Sequence, residues 1–283
     1  MRVLIIGDFH HKNKIGLELI LKYLNYEYKF GNIHDINNFD IIFMPSSPID
    51  TSFYPTKKFI FGNHFSVFPD NKLLQINNIH KNSVYVQPSQ WVCELWNLAE
   101  KVLPVKNFPF PVDIEIFKPI KNKNSSKEKV FIYFKRRKQT ELSFLKTFLK
   151  GKNIKYHIFD YINRYNEKEY IKYLQESTYG IVLDAHESQG FAIEEAMSCN
   201  VPLLVWNVSS MNQEEGANYQ NIPATSIPYW DNRCGEYFYK KEDFEPKYNE
   251  FINKLDTYKP REFILETLTT QKCSINFNNI IKF

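Results

Sequence analysis

A chain of 283 residues with 43% hydrophobic and 16% aromatic residues can bury a substantial core, as one large domain or two ordinary ones, which excludes a mostly disordered protein. Its formal net charge of +4, from 36 Lys and Arg against 32 Asp and Glu, demands no polyanion, so a nucleic-acid partner is not indicated. The four cysteines are far apart and form no CxxC or Cys–His cluster, and no apolar run reaches signal-peptide or membrane-spanning length; the expectation is reduced thiols, no transmembrane segment and a cytoplasmic location.

Residues 2–7 (RVLIIG) form an apolar run closed by glycine, followed by a polar loop and a helical apolar pattern over 15–24. Further strands are predicted at 40–44, 58–61 and 83–86, each followed by turn residues. Their consecutive apolar residues suit parallel strands buried on both faces. Ser89 is placed to cap a helix over 90–101. Loop residues at strand ends are positioned to meet a ligand: His10, His11 and Lys12 after the first strand, and Asn63 with His64 after the third. His64 is the preferred catalytic candidate among them.

Composition changes over 103–129, with prolines first and lysines at the end, which reads as an interdomain linker. A new strand at 130–134 runs straight into Lys135, Arg136, Arg137 and Lys138, a basic cluster where a phosphate could sit. A helical pattern from Leu142 to Leu149, a strand over 154–161 and a helix over 167–176 come next. Residues 179–207 then read strand, turn, helix, strand, with Glu187 in the turn, Gly190 at the helix start and Glu194 and Glu195 inside the helix. Periodicity does not choose between the last two acids. Residues 225–239 are aromatic-rich ordered structure without an assigned chemistry, and 242–255 and 260–283 read as closing helices, the second opened by Pro260. No G-x-G-x-x-G follows a leading strand, which argues against a dinucleotide enzyme.

The stretch HESQGFAIEEAMSCNVPLLVWN (186–207) resembles the signature of retaining glycosyltransferases of the GT-B fold, particularly family 4, in which two glutamates are separated by seven residues; here these are Glu187 and Glu195. The segment FPVDIEIFKP (110–119) is similar to the crossover of those enzymes, and PSQWVCELW (88–96) to the Ser-led helix before it. The resemblance implies an α/β fold of two Rossmann-like domains facing a cleft. Residues 1–110 would bind the acceptor, 111–129 link, 130–260 bind the nucleotide-sugar, and 261–283 form a C-terminal helix able to pack back on the N-terminal domain.

It also implies an enzyme that moves a hexose or similar sugar from a UDP- or GDP-linked donor to a glycan or other hydroxyl acceptor, with retention and without a metal ion or further cofactor. Glu195 would bind the ribose, Glu187 the donor sugar and the amides near Gly190 and Phe191 the diphosphate, with Ser188 and Gln189 also in the nucleotide-sugar site. Lys135 and Arg137 are the members of the basic cluster expected to meet the diphosphate, as alternate residues facing one side. The contiguous basic cluster and the lack of early glycines in the first loop depart from the family. A non-catalytic glycan- or nucleotide-binding module on the same fold is the alternative.

Overall fold

The computed structural model describes residues 1–46, 48–63, 67, 81–98, 104–120, 129–163, 165–219 and 221–282. His64 lies outside them, as do residues 99–101 of the predicted helix over 90–101. The chain forms two compact units, Met1–Pro111 with Thr267–Phe283, and Val112–Glu266.

The first unit is built on a six-stranded sheet, order β2-β1-β3-β4-β5-β6, with every neighbouring pair parallel. Its strands are β1 (Arg2–Ile6), β2 (Glu27–Gly31), β3 (Ile41–Met44), β4 (Lys58–Gly62), β5 (Ser83–Gln87) and β6 (Val105–Asn107). The four inner strands are the predicted apolar runs. They carry the core, which includes Leu4, Ile42, Phe59, Phe61 and Tyr85, with Val92, Cys93 and Trp96 of helix α2 (Gln90–Asn97) packed against it. Burying each such side chain is worth ~2 kcal/mol, which is why consecutive apolar residues settle in the sheet centre.

Helix α1 (His11–Tyr23) starts four residues earlier than its apolar pattern. His10 is its N-cap, and the imidazole Nδ1 accepts from the Lys12 backbone N–H at 3.3 Å. The His10 to Lys12 loop is therefore the cap and first turn of a helix, where the backbone already satisfies part of the chemistry that loop residues would otherwise offer.

The second unit has a five-stranded, all-parallel sheet, order β11-β10-β9-β7-β8. The strands are β7 (Val130–Lys135), β8 (Tyr156–Asp160), β9 (Tyr179–Asp184), β10 (Leu203–Trp206) and β11 (Gly235–Phe238). Helices α3 (Gln139–Gly151), α4 (Glu167–Glu176), α5 (Phe191–Ser198) and α6 (Phe244–Asn253) flank it. Leu142, Leu145 and Leu149 of α3 and Phe244, Tyr248 and Phe251 of α6 close one core over β7, β9 and β10.

β11, inside the aromatic-rich stretch, begins at Gly235 with φ +137°, and a Cβ there would collide with the Leu203 carbonyl on β10. Gly235→Ala should thus cost ~2 kcal/mol, lowering the melting temperature by about 5 °C, and an unchanged melting curve would show that this edge is not so tightly made.

The closing segment is two helices rather than one, α7 (Pro260–Thr267) and α8 (Thr270–Ile281). The break is set by Thr269, whose hydroxyl accepts from the Lys272 N–H at 3.3 Å and so starts a new helix. α8 belongs to the first unit, where Phe277 meets Phe108 with ring centroids 5.5 Å apart, Asn276 donates to the Asn107 carbonyl, and Asn278 accepts from the Tyr26 hydroxyl. No helix among the described residues is long and apolar enough to cross a membrane.

Candidate active site

Parallel strands deliver their loops to one edge, and at that edge of the second sheet β7 and β9 end side by side, with Lys135 and Asp184 as register partners. The turn after β9 brings Glu187 back over them. Its carboxylate Oε1 lies 2.5 Å from the Lys135 ammonium, and each side chain is only 13% exposed. Tyr161, just past β8, lies beside the same ammonium, 4.8 Å from ring centroid to Nζ. Burial works against the charge on Lys135, but the acidic groups beside it, with the Glu187 carboxylate in direct contact, outweigh it and hold the ammonium above its ordinary range. Burial likewise opposes ionisation of Glu187, and Lys135 more than compensates, so the carboxyl is depressed and stays a carboxylate.

The loop that carries Glu187 is fixed from behind. The Glu187 N–H donates to the Thr225 carbonyl at 3.0 Å. Thr225 and Ser226 are in turn gathered by Asn207, just past β10, whose Oδ1 accepts from both hydroxyls and from the Ser226 and Val208 N–H groups. The aromatic-rich stretch thus has a first purpose, because its leading residues brace the turn. Gly190 ends that turn at φ +97°, a left-handed conformation that lets the chain swing directly into α5.

Helix α5 is buried nearly all round, so neither of its acids lies on a solvated face. Glu194 accepts from the Gln189 carboxamide at 3.1 Å, which turns it and Gln189 toward each other. Glu195 lies near Tyr165 and Tyr170, and the Tyr165 hydroxyl is within electrostatic reach of Glu187 as well. Burial raises both phenols, with the negative charge of Glu195 adding to it, so they remain neutral hydroxyls. Ser188 and Phe191 are half-buried at the helix start.

Lys135 and Arg137 do not face one side. Arg136 between them has φ +51°, and this left-handed residue turns the chain so that strand alternation stops at Lys135. Arg136 reaches out to Glu214 at 3.2 Å. Arg137 turns inward and is 1% exposed. Its guanidinium makes a fork to Glu141 (3.0 and 2.6 Å), donates to the carbonyls of Asp184 and Trp206 (both 3.1 Å), and lies against the Trp206 ring. Beside the site His186 stands 3.3 Å from Glu214; burial lowers its pKa despite that carboxylate.

The residues that sequence reasoning left without a role are Asp184, Tyr161, Tyr165, His186, Asn207 and Glu214. Only Asp184 carried a readable signal, as one acid closing a fully apolar strand. Among the described residues no group of three or more His, Cys, Asp or Glu side chains could hold a metal ion.

The sequence matches no protein-family model and no curated protein. Solved structures do resemble it. Sucrose-phosphate synthase from Thermosynechococcus elongatus superimposes with a TM-score of 0.64 at 8% identity, covering 100% of this chain and 98% of that one. A glycosyltransferase involved in avilamycin A biosynthesis gives 0.62 at 11%, covering 100% and 97%. The apo form of the lipopolysaccharide outer core galactosyltransferase WaaB gives 0.59 at 14%, covering 99% of each. These likenesses define the fold: two Rossmann-like α/β domains of the GT-B type.

Proposed function

We propose that the chain is a nucleotide-sugar-dependent glycosyltransferase, of the retaining kind typified by family 4, and that it works without a metal ion. The observation that supports this most is the Lys135–Glu187 pair at the strand ends, beside the start of α5 and eight positions ahead of Glu195 in the glutamate motif. Sugar and ribose hydroxyls are donors, and an acceptor-only carboxylate suits them. Glu187 is assigned to the donor sugar and Glu195 to the ribose. The amides at Gly190 and Phe191 open the helix toward the diphosphate, with Ser188 and Gln189 lining the approach.

Lys135 is assigned to the leaving diphosphate, whose negative charge grows as the glycosidic bond breaks, so a fixed ammonium stabilises the transition state more than the ground state. In that reading the acceptor hydroxyl attacks from the face the diphosphate is leaving, and a phosphate oxygen takes its proton. Arg137, held by Glu141, braces the turn that presents Lys135 instead of touching phosphate itself. The acceptor is assigned to residues 1–110, where His64 stays the candidate from sequence alone.

Calorimetric titration with UDP, GDP and their sugars, followed by a donor-hydrolysis assay, tests the reading. One nucleotide class should bind, and Glu195→Ala should weaken it by about two orders of magnitude, the worth of a pair of hydrogen bonds to a charged group at about 1.5 kcal/mol each. Absence of binding by every nucleotide would sink the proposal. Binding with neither hydrolysis nor transfer over a broad acceptor panel would favour the non-catalytic module.

A further inference from the structure

Asp184 ends β9 with no exposed surface, next to Lys135 in register, and neither of its buried carboxyl oxygens accepts from an N–H or O–H donor among the described residues; the Glu187 carboxyl is its close neighbour. The Asp184 backbone carbonyl accepts from Arg137 at 3.1 Å, which pins the end of β9. β7 faces it with Tyr133 and Lys135, and the loop after β9 with Glu187. His186, one residue before Glu187, is kept neutral by burial, and Arg137 is committed to Glu141. Tyr165 and Glu195 come next, beyond Glu187. The immediate neighbourhood therefore holds two carboxyl groups and one ammonium, and the ammonium lies on Glu187. Ionising both acids would leave a net negative charge buried at the strand ends, which like-charged carboxyls avoid by keeping one proton between them.

We propose that Asp184 is a carboxylic acid in the native protein and donates its proton to the Glu187 carboxylate, so that it is a positioning residue whose neutral form fixes the glutamate between one cation and one neutral donor. Burial and the charge of Glu187 both raise its pKa well above the ordinary carboxylate value, which accords with the charge count. On the reading that Glu187 meets the donor sugar, the arrangement has a use. When Lys135 turns to the diphosphate, Glu187 keeps one fixed hydrogen bond and does not become a bare buried charge.

The sign follows from linkage. A carboxyl raised in the folded state holds a proton that the unfolded chain releases above its ordinary pKa, so stability falls as pH rises from there to the folded pKa. Glu187, depressed, acts oppositely and only as pH drops below the ordinary carboxylate range. His186 contributes equally to wild type and variant, and so cancels in their difference. Asp184→Asn keeps a neutral hydrogen-bond donor and removes the titration.

Urea unfolding of both proteins from pH 5.5 to 7.5 should find the asparagine variant more stable, the ratio of folding constants widening about tenfold per pH unit. A variant that is less stable by a constant factor would mean that Asp184 is ionised and paired with Lys135, and the proposal falls. Should the variant not fold, infrared spectroscopy of wild type carrying ¹³C-labelled aspartate decides. A protonated-carboxyl C=O band at pH 7 supports the assignment, and carboxylate bands alone overturn it. Neither experiment uses a sugar donor, so either can fail while the glycosyltransferase reading stands. For the positioning role, Asp184→Asn should keep donor hydrolysis within about threefold of wild type while Asp184→Ala loses about thirtyfold, the difference between a kept and an abandoned hydrogen bond to a buried charge.

Discussion

Replacing Lys135 by alanine should lower donor turnover about a thousandfold, the upper range for one preorganised group facing developing charge, while leaving nucleoside binding nearly unchanged. The split between these readouts is the informative part, because Lys135 is assigned to charge that appears only as the bond breaks. The substitution has a second effect on the ligand-free protein. Glu187 loses the cation that keeps it ionised inside a site where its side chain is 13% exposed. With Lys135 absent, Glu187 and Asp184 face each other without a compensating charge, and the glutamate should take up a proton at higher pH than before. Residual turnover of the variant should therefore recover as pH is raised, up to the point where both acids ionise. Equal losses in nucleoside binding and turnover would mean that Lys135 grips the ground state, and its assignment to the leaving group would fail.

Arg137→Leu is expected to destabilise the second unit by about 4 kcal/mol, near the upper range for breaking a buried ion pair by removing one partner. Four groups lose a donor together: both Glu141 oxygens, of which one keeps only the Lys138 N–H, and the carbonyls of Asp184 and Trp206. In a unit of this size the loss corresponds to a melting temperature lower by about 12 °C. Lysine should not restore it, since a single ammonium cannot reproduce a planar fork that reaches a carboxylate on one side and two carbonyls on the other. If Arg137 met the diphosphate as strand alternation suggests, the outcome would be the reverse, with stability kept and turnover lost. Differential scanning calorimetry beside a donor-hydrolysis assay separates the two cases.

Much of the architecture was legible in the sequence because inner parallel strands write their burial as consecutive apolar residues. β1, β3, β4, β5, β7, β9 and β10 all read that way, and the helix predicted over 167–176 is α4. The strands that escaped notice, β2, β6 and β11, are sheet edges. EYKFG and VKN have one side open to water, so they carry charge where inner strands carry valine, and no apolar run marks them. The site follows the same division. Spacing singled out Glu187 and Glu195, and packing then buried Glu194 beside them, which helical periodicity could not foresee because the whole of α5 is covered. Lys135 and Arg137 parted company through one left-handed residue, Arg136, and a non-glycine in that conformation leaves no mark on composition. Asn207 reads as an ordinary residue after a strand; only tertiary structure brings Thr225 and Ser226 onto its carbonyl oxygen.

The last helix has a bearing on how the protein is made. The first unit contains both Met1–Pro111 and Thr267–Phe283, with the whole of the second unit intervening in the chain. A ribosome that synthesises domains in sequence order can deliver the second unit complete, whereas the first must wait for its final element. Until Phe277 emerges, the ring of Phe108 lacks one of its three ring partners, and part of the aromatic cluster it forms with Phe43 and Phe110 stays uncovered. The half synthesised first is thus the half finished last, and that interval is when a chaperone would find apolar surface to hold.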